Sequence, residues 1–151
     1  QKEEIPLYLA ETKAEAFDNE VDDKTLVITA DTIVWKDGEI LQKPGDEKEA
    51  FQILRKLSGN VHQVYTGVCI RSLEKKHTFF SRTDVYFKEL TDKEIRYYVE
   101  KFEPYDKAGS YGIQEWLGYV GVEKIEGSFF NVMGLPVQKL YVELQHFLGL
   151  H

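Results

Sequence analysis

The run Leu26-Val27-Ile28-Thr29-Ala30-Asp31-Thr32-Ile33-Val34 most constrains the fold. It is apolar and β-branched, too short for a typical helix, and bounded by a polar stretch over 18–24 and the hairpin-like Lys36-Asp37-Gly38-Glu39. These features predict a fully buried strand. One ionisable residue, Asp31, interrupts it. An isolated carboxylate in an apolar setting raises its pKa and neutralises, so the expected partner is a cation, a metal ion or a bound water. An Asp at a strand end also caps the following turn, and spacing alone leaves both readings open.

Helical and extended patterns alternate around this strand. Pro6 suits a first helical position, and Leu9, Ala10, Lys13, Ala14 and Phe17 follow at helical spacing, with Lys13 beside the apolar stripe. Asp46 and Glu49 form a capping-box pattern ahead of Ala50, Ile53, Leu54 and Leu57, and Ser58-Gly59 stops that helix. Segments 61–71 and 77–87 predict a hairpin across the charged turn Leu73-Glu74-Lys75-Lys76. Thr91 and Glu94 cap a third helix with Ile95, Tyr98, Val99 and Phe102 on one face, ended by Pro104. Segment 116–125 reads as a further strand. Pro136 opens a last helix with Val137, Leu140, Tyr141, Leu144 and Phe147 on one side. The expectation is one α/β domain over residues 1–151, with a mixed, twisted sheet flanked by helices.

A chain of 151 residues with 42% hydrophobic and 13% aromatic content has the material for a globular core. No apolar stretch is long enough to span a bilayer, so no membrane partner is expected. A net charge of −7 argues against non-specific nucleic-acid binding. It leaves a nucleotide substrate open, because a few convergent cations outweigh net charge locally. Cys69, the single cysteine, reads as a buried inert thiol in a reducing cytoplasm. His62, His77, His146 and His151 are too dispersed to suggest zinc.

Five stretches stand out in order: Ala30-Asp31-Thr32; Gln42-Lys43-Pro44; the segment 57–68 from Leu57-Ser58-Gly59 to Thr66-Gly67-Val68; Asp106-Lys107-Ala108-Gly109-Ser110-Tyr111-Gly112-Ile113-Gln114; and Asn131-Val132-Met133-Gly134-Leu135-Pro136. Together they resemble the Maf family of nucleoside triphosphate pyrophosphatases, from Pro6 to Leu144. The ending Gly112-Ile113-Gln114 resembles the branch acting on dTTP and UTP rather than the branch for methylated guanine nucleotides. The resemblance implies a Maf/ITPase-like fold and hydrolysis of the triphosphate to monophosphate and pyrophosphate, with Mg²⁺ or Mn²⁺ as cofactor. It also implies a preceding segment with Ser and an Arg-Arg pair, which is not found before Gln1, so the chain reads as N-terminally incomplete.

Residue by residue, the resemblance makes Asp31 the catalytic base. A carboxylate there can take a proton from water or hold the metal ion that acidifies it, and the sequence does not separate these roles. Lys13 and Lys43 match phosphate-contacting positions, against the common alternative of solvated surface charge. Thr32 and Gln114 match substrate-discriminating positions. An amide donor and acceptor can pair with a pyrimidine edge, whereas Thr32 has a turn or packing role as its alternative. Lys107 either contacts phosphate or ties down its loop by an ion pair. Ser58, Thr66 and Asn131 are expected to shape loops. The rival function, attached to the family's name, is a nucleotide-binding regulator of division or septum formation. A homodimer is the expected assembly.

Overall fold

The computed structural model describes residues 2–150. His151, one of the dispersed histidines, lies outside the described residues. The order is α1 (Glu4–Glu15), β1 (Val27–Lys36), β2 (Glu39–Leu41), α2 (Glu47–Leu57), β3 (Val61–Arg71), β4 (Lys76–Phe87), α3 (Asp92–Phe102), α4 (Trp116–Gly121), β5 (Val122–Glu126), α5 (Phe129–Met133) and α6 (Val137–Phe147). Short 3-10 turns at Asp18–Glu20, Pro104–Asp106 and Ala108–Ser110 complete it. The five strands form one sheet in the order β2-β1-β3-β4-β5, the α/β class expected. Contacts cluster into two compact units: residues 1–32, 65–82 and 128–151 form the first, and 33–64 with 83–127 the second.

In the first unit, α1 packs through small residues. Ala10 and Ala14 are buried with Cys69, and a Cβ on Gly67 would come 2.4 Å from the Pro6 carbonyl carbon, so β3 admits the helix only because position 67 is glycine. Thr29 pins the same helix by donating its Oγ1–H to the Ala10 carbonyl at 2.6 Å. The expected stripe is therefore narrower than its spacing suggested: Leu9 stays 37% exposed and Phe17 lies beyond the helix at 41%. A second cluster joins Val68, Ile70, Phe79 and Phe147 with the partly buried Ala30, Leu135, Leu140 and Leu144. Three of the five residues on the predicted α6 face thus pack, while Val137 and Tyr141 face solvent.

In the second unit, the hairpin closes with Lys36 opposite Glu39 across Asp37 and Gly38, both at positive φ (47° and 85°), which Asp-Gly tolerates. Asp46 caps α2 by accepting the Glu49 N–H at 2.8 Å, and Ala50, Ile53, Leu54 and Leu57 are its buried face. The Thr91–Glu94 box caps α3 through both bonds. Strand β5 pairs antiparallel with β4, Val85 opposite Ile125.

Two expectations fail. Strand β1 is only partly buried, with Ile28 39% exposed and full burial confined to Ile33, Val34 and Lys36. Segment 116–125 is not one strand, because its first half folds as α4. Trp, Tyr and Val favour strands, but burial of Leu117 and Gly121 and the turn bond from Gly118 N–H to the Glu115 carbonyl (2.9 Å) override that preference.

Candidate active site

The first unit carries Asp31, Lys13 and Thr32, and pairs the first two, while Thr32, next along β1, points to the other face of the strand. Asp31 lies within β1 rather than at its end, so it caps no turn. Its carboxylate meets the Lys13 ammonium at 2.8 Å, with the Asp31 side chain 21% exposed and that of Lys13 54% exposed. Lys13, in the last turn of α1, also donates to the Ala30 carbonyl at 3.0 Å. The charge that the strand pattern called for is therefore present, on a long and half-exposed side chain.

Thr32 faces Thr66, their hydroxyl oxygens 2.8 Å apart, with the Gly134 carbonyl 3.4 Å from Thr32 Oγ1 and the Asn131 carbonyl 3.3 Å from Thr66 Oγ1. Each hydroxyl has one proton, so the pair donates toward Gly134 or toward Asn131 but not fully to both. Asn131 is buried, and its side chain donates to the Ser81 carbonyl at 3.3 Å. Thr66 and Asn131 hold the 131–136 loop as their motifs suggested. Ser58 does the same in the second unit, accepting the Leu90 N–H at 2.6 Å.

That second unit carries Lys43 and Gln114. Lys43 is exposed, and the Gln42 carbonyl next to it accepts the Gly109 N–H at 3.3 Å, joining the 42–44 segment to the 106–114 loop. Gly109 is required there: its φ is +72°, and a Cβ would come 2.9 Å from Val34 Cγ2. Lys107 takes the tying role, with its ammonium 3.2 Å from Asp106 and 4.0 Å from Glu115. The Lys107 hydrogen bond, with a smaller contribution from Lys43, holds the Asp106 carboxyl below its usual value.

Gln114 is exposed, whereas Tyr111, Gly112 and Ile113 before it are buried. Beneath them His62 is fully covered, its Nε2 2.7 Å from the Tyr111 hydroxyl and its ring edge-on to Phe87 at 5.3 Å. Burial, then the Lys36 charge, lowers its pKa to about 3, so it is a neutral core histidine at ordinary pH. Tyr98, singled out in the sequence only as a helix-face residue, reaches the same loop: its hydroxyl accepts the Gly112 N–H at 3.1 Å and donates to Glu115 at 2.5 Å. The signal available was a tyrosine among aliphatic neighbours on α3, since a buried hydroxyl needs partners.

Among the described residues, no group of three or more His, Cys, Asp or Glu side chains gathers to hold a metal ion. No helix among them is long and apolar enough to cross a membrane. Cys69 is buried, and burial pushes its thiol up, away from nucleophilic use.

The model of the family described as Maf-like protein matches residues 1–147. Among curated relatives, the dTTP/UTP pyrophosphatase of Parabacteroides distasonis is 58% identical over 144 residues, covering 95% of this chain and 75% of the relative. That of Phocaeicola vulgatus is 57% identical over 143 residues, covering 95% and 74%. One from Porphyromonas gingivalis is 56% identical over 147 residues, covering 96% and 74%. With a family model spanning nearly the whole chain and relatives above half identity, this chain belongs to the Maf family.

Proposed function

We propose that the chain hydrolyses dTTP and UTP to the nucleoside monophosphate and pyrophosphate, with Asp31 as the group that acts on water. The observation carrying this reading is the Asp31 carboxylate on β1, partly open to solvent and met by Lys13 at 2.8 Å, in a family whose similar members are dTTP/UTP pyrophosphatases.

With a long, half-exposed side chain, Lys13 holds its ammonium within reach of solvent-borne anions. In the substrate-free protein its ammonium neutralises Asp31. A triphosphate competes for that ammonium, and once Lys13 turns to phosphate, the Asp31 oxygens it had engaged are open to accept a proton from water. Lys43, exposed beside the 106–114 loop, is proposed as a second phosphate contact, and Thr32 as a hydroxyl contact to substrate. Gln114 is proposed to read the base, supported by its exposure on a loop whose neighbours are buried.

The donor set suits Mg²⁺ or Mn²⁺, because one hard carboxylate is enough for an ion that takes its remaining oxygens from water and substrate phosphates. Asp31 would hold it, and when bound the ion supplies phosphate charge neutralisation and an acidified water. A reducing cytoplasm is part of the same reading, supported by the buried thiol of Cys69. So is a homodimer, on the ground that two-fold pairs are the commonest assemblies.

Chromatography of the products of dTTP and UTP with Mg²⁺ tests the reaction. Monophosphate and pyrophosphate are expected in equal amounts. Release of single phosphate with a nucleoside diphosphate would contradict it.

A further inference from the structure

The turn presenting Gln114 is built around one hydroxyl that the proposed chemistry does not touch. Tyr98 is fully buried on α3, with its ring stacked on Phe102 at 5.1 Å. Its oxygen donates its proton to the Glu115 carboxylate at 2.5 Å and accepts the Gly112 N–H at 3.1 Å. Gly112 and Glu115 are the two ends of the turn, which is closed by the Glu115 N–H to the Gly112 carbonyl at 3.0 Å. One proton and one lone pair thus clamp both ends. Burial and Glu115 push the phenol above its usual value, so the proton stays on the oxygen at any working pH.

Other contacts leave the turn little freedom. A Cβ on Gly118 would lie 1.7 Å from the Ile113 carbonyl oxygen, and one on Gly112 would lie 2.9 Å from Lys107 Cε and 3.0 Å from Glu115 Oε1. Ile113 is buried at 4% exposure, while Gln114 between it and Glu115 is open to solvent.

This rigidity matters because a primary amide does not select a pyrimidine by itself. In one orientation it donates to a ring carbonyl and accepts from an imide N–H, the pattern of uracil and thymine. Turned over, it matches the amino group and ring nitrogen of cytosine. Discrimination therefore depends on where the amide is held, and hydrogen bonds weaken steeply when misaligned. We propose that Tyr98 is a positioning residue for base selection: its hydroxyl fixes the Gly112–Glu115 turn so that Gln114 meets uracil or thymine in register and cytosine out of register. The inference rests on Gln114 as the base-reading group.

The test compares kcat and KM for dTTP and dCTP, together with melting temperature, in the full chain and four variants: Tyr98→Phe, Gln114→Ala, the double variant, and Glu115→Gln. Tyr98→Phe should narrow the dTTP:dCTP preference by up to about tenfold, the effect of one hydrogen bond, chiefly through a higher KM for dTTP. The double variant should be no less selective than Gln114→Ala alone. Glu115→Gln keeps an acceptor oxygen and should keep the preference. A lower melting temperature with unchanged preference in Tyr98→Phe would reduce the hydroxyl to a stability role and overturn the inference. Additive losses in the double variant would also overturn it. If Gln114→Ala itself leaves the preference unchanged, the base-reading proposal fails and the inference with it. Should Tyr98→Phe not fold, Glu115→Ala removes the acceptor from the partly buried Glu115 end of the clamp and carries the same comparison.

Discussion

Asp31 and Gln114 are supported in opposite ways. Asp31 is held by an ion pair whose cationic partner is 54% exposed and also donates to the Ala30 carbonyl. Gln114 projects from a turn fixed from below by buried groups: the Tyr98 hydroxyl, Ile113, and the close approach that only glycine allows at position 118. The contrast teaches that a proton-accepting group benefits from a partner that can leave, whereas a hydrogen-bonding reader of shape needs one that cannot.

The largest effect expected from this contrast is chemical. Asp31→Asn is nearly isosteric but cannot accept the proton, so steady-state turnover of dTTP should fall by about 10²–10⁴, with the folded circular dichroism spectrum retained. Near-normal turnover would make the carboxylate structural. Next comes Gly118→Ala, which forces a methyl into the Ile113 carbonyl oxygen, 1.7 Å from the ideal Cβ position. Denaturant unfolding should show a loss of about 1–3 kcal/mol, as overpacking typically costs. No loss would mean that the turn is softer than its contacts suggest.

A third prediction concerns acid. His62 has a pKa of about 3 in the folded protein against 6.5 as a free side chain. The unfolded chain therefore binds a proton that the folded chain refuses, so stability falls as pH drops from 6.5 toward 3 and levels off below. By pH 5 the cost is about 2 kcal/mol. Lys36 lowers the value further and Asp84 partly opposes it. His62→Gln should flatten that part of the stability profile; an unchanged slope would assign the acid sensitivity to other groups. The smallest effect is on stability at the ion pair. Lys13→Met should change unfolding free energy by less than about 1 kcal/mol, because half-exposed pairs contribute little. Its KM for dTTP should nonetheless rise severalfold.

Local signals were legible where one physical rule dominates. The Asp46 and Thr91 caps, the buried faces of α2 and α3, and strand β3 follow directly from periodicity and capping. So did the need for a cation at Asp31, although not that the carboxylate would keep contact with solvent. Strand β1 looked buried because composition does not report how much of each face neighbouring elements cover. Helix α4 was hidden because Trp116, Tyr119 and Val120 favour strands, while burial of Leu117 and Gly121 and the turn bond from Gly118 N–H to the Glu115 carbonyl decide the outcome. The Tyr98 clamp joins positions 14 and 17 residues apart, and no single-segment pattern encodes it.

The division of labour between Asp31 and Gln114 is tested most directly by measuring kcat/KM for dTTP, UTP and dCTP side by side in Asp31→Asn and Gln114→Ala. Asp31→Asn should lower all three by a similar factor, leaving the preference among bases intact. Gln114→Ala should lower dTTP and UTP far more than dCTP. A shifted base preference in Asp31→Asn, or a uniform loss in Gln114→Ala, would contradict the account.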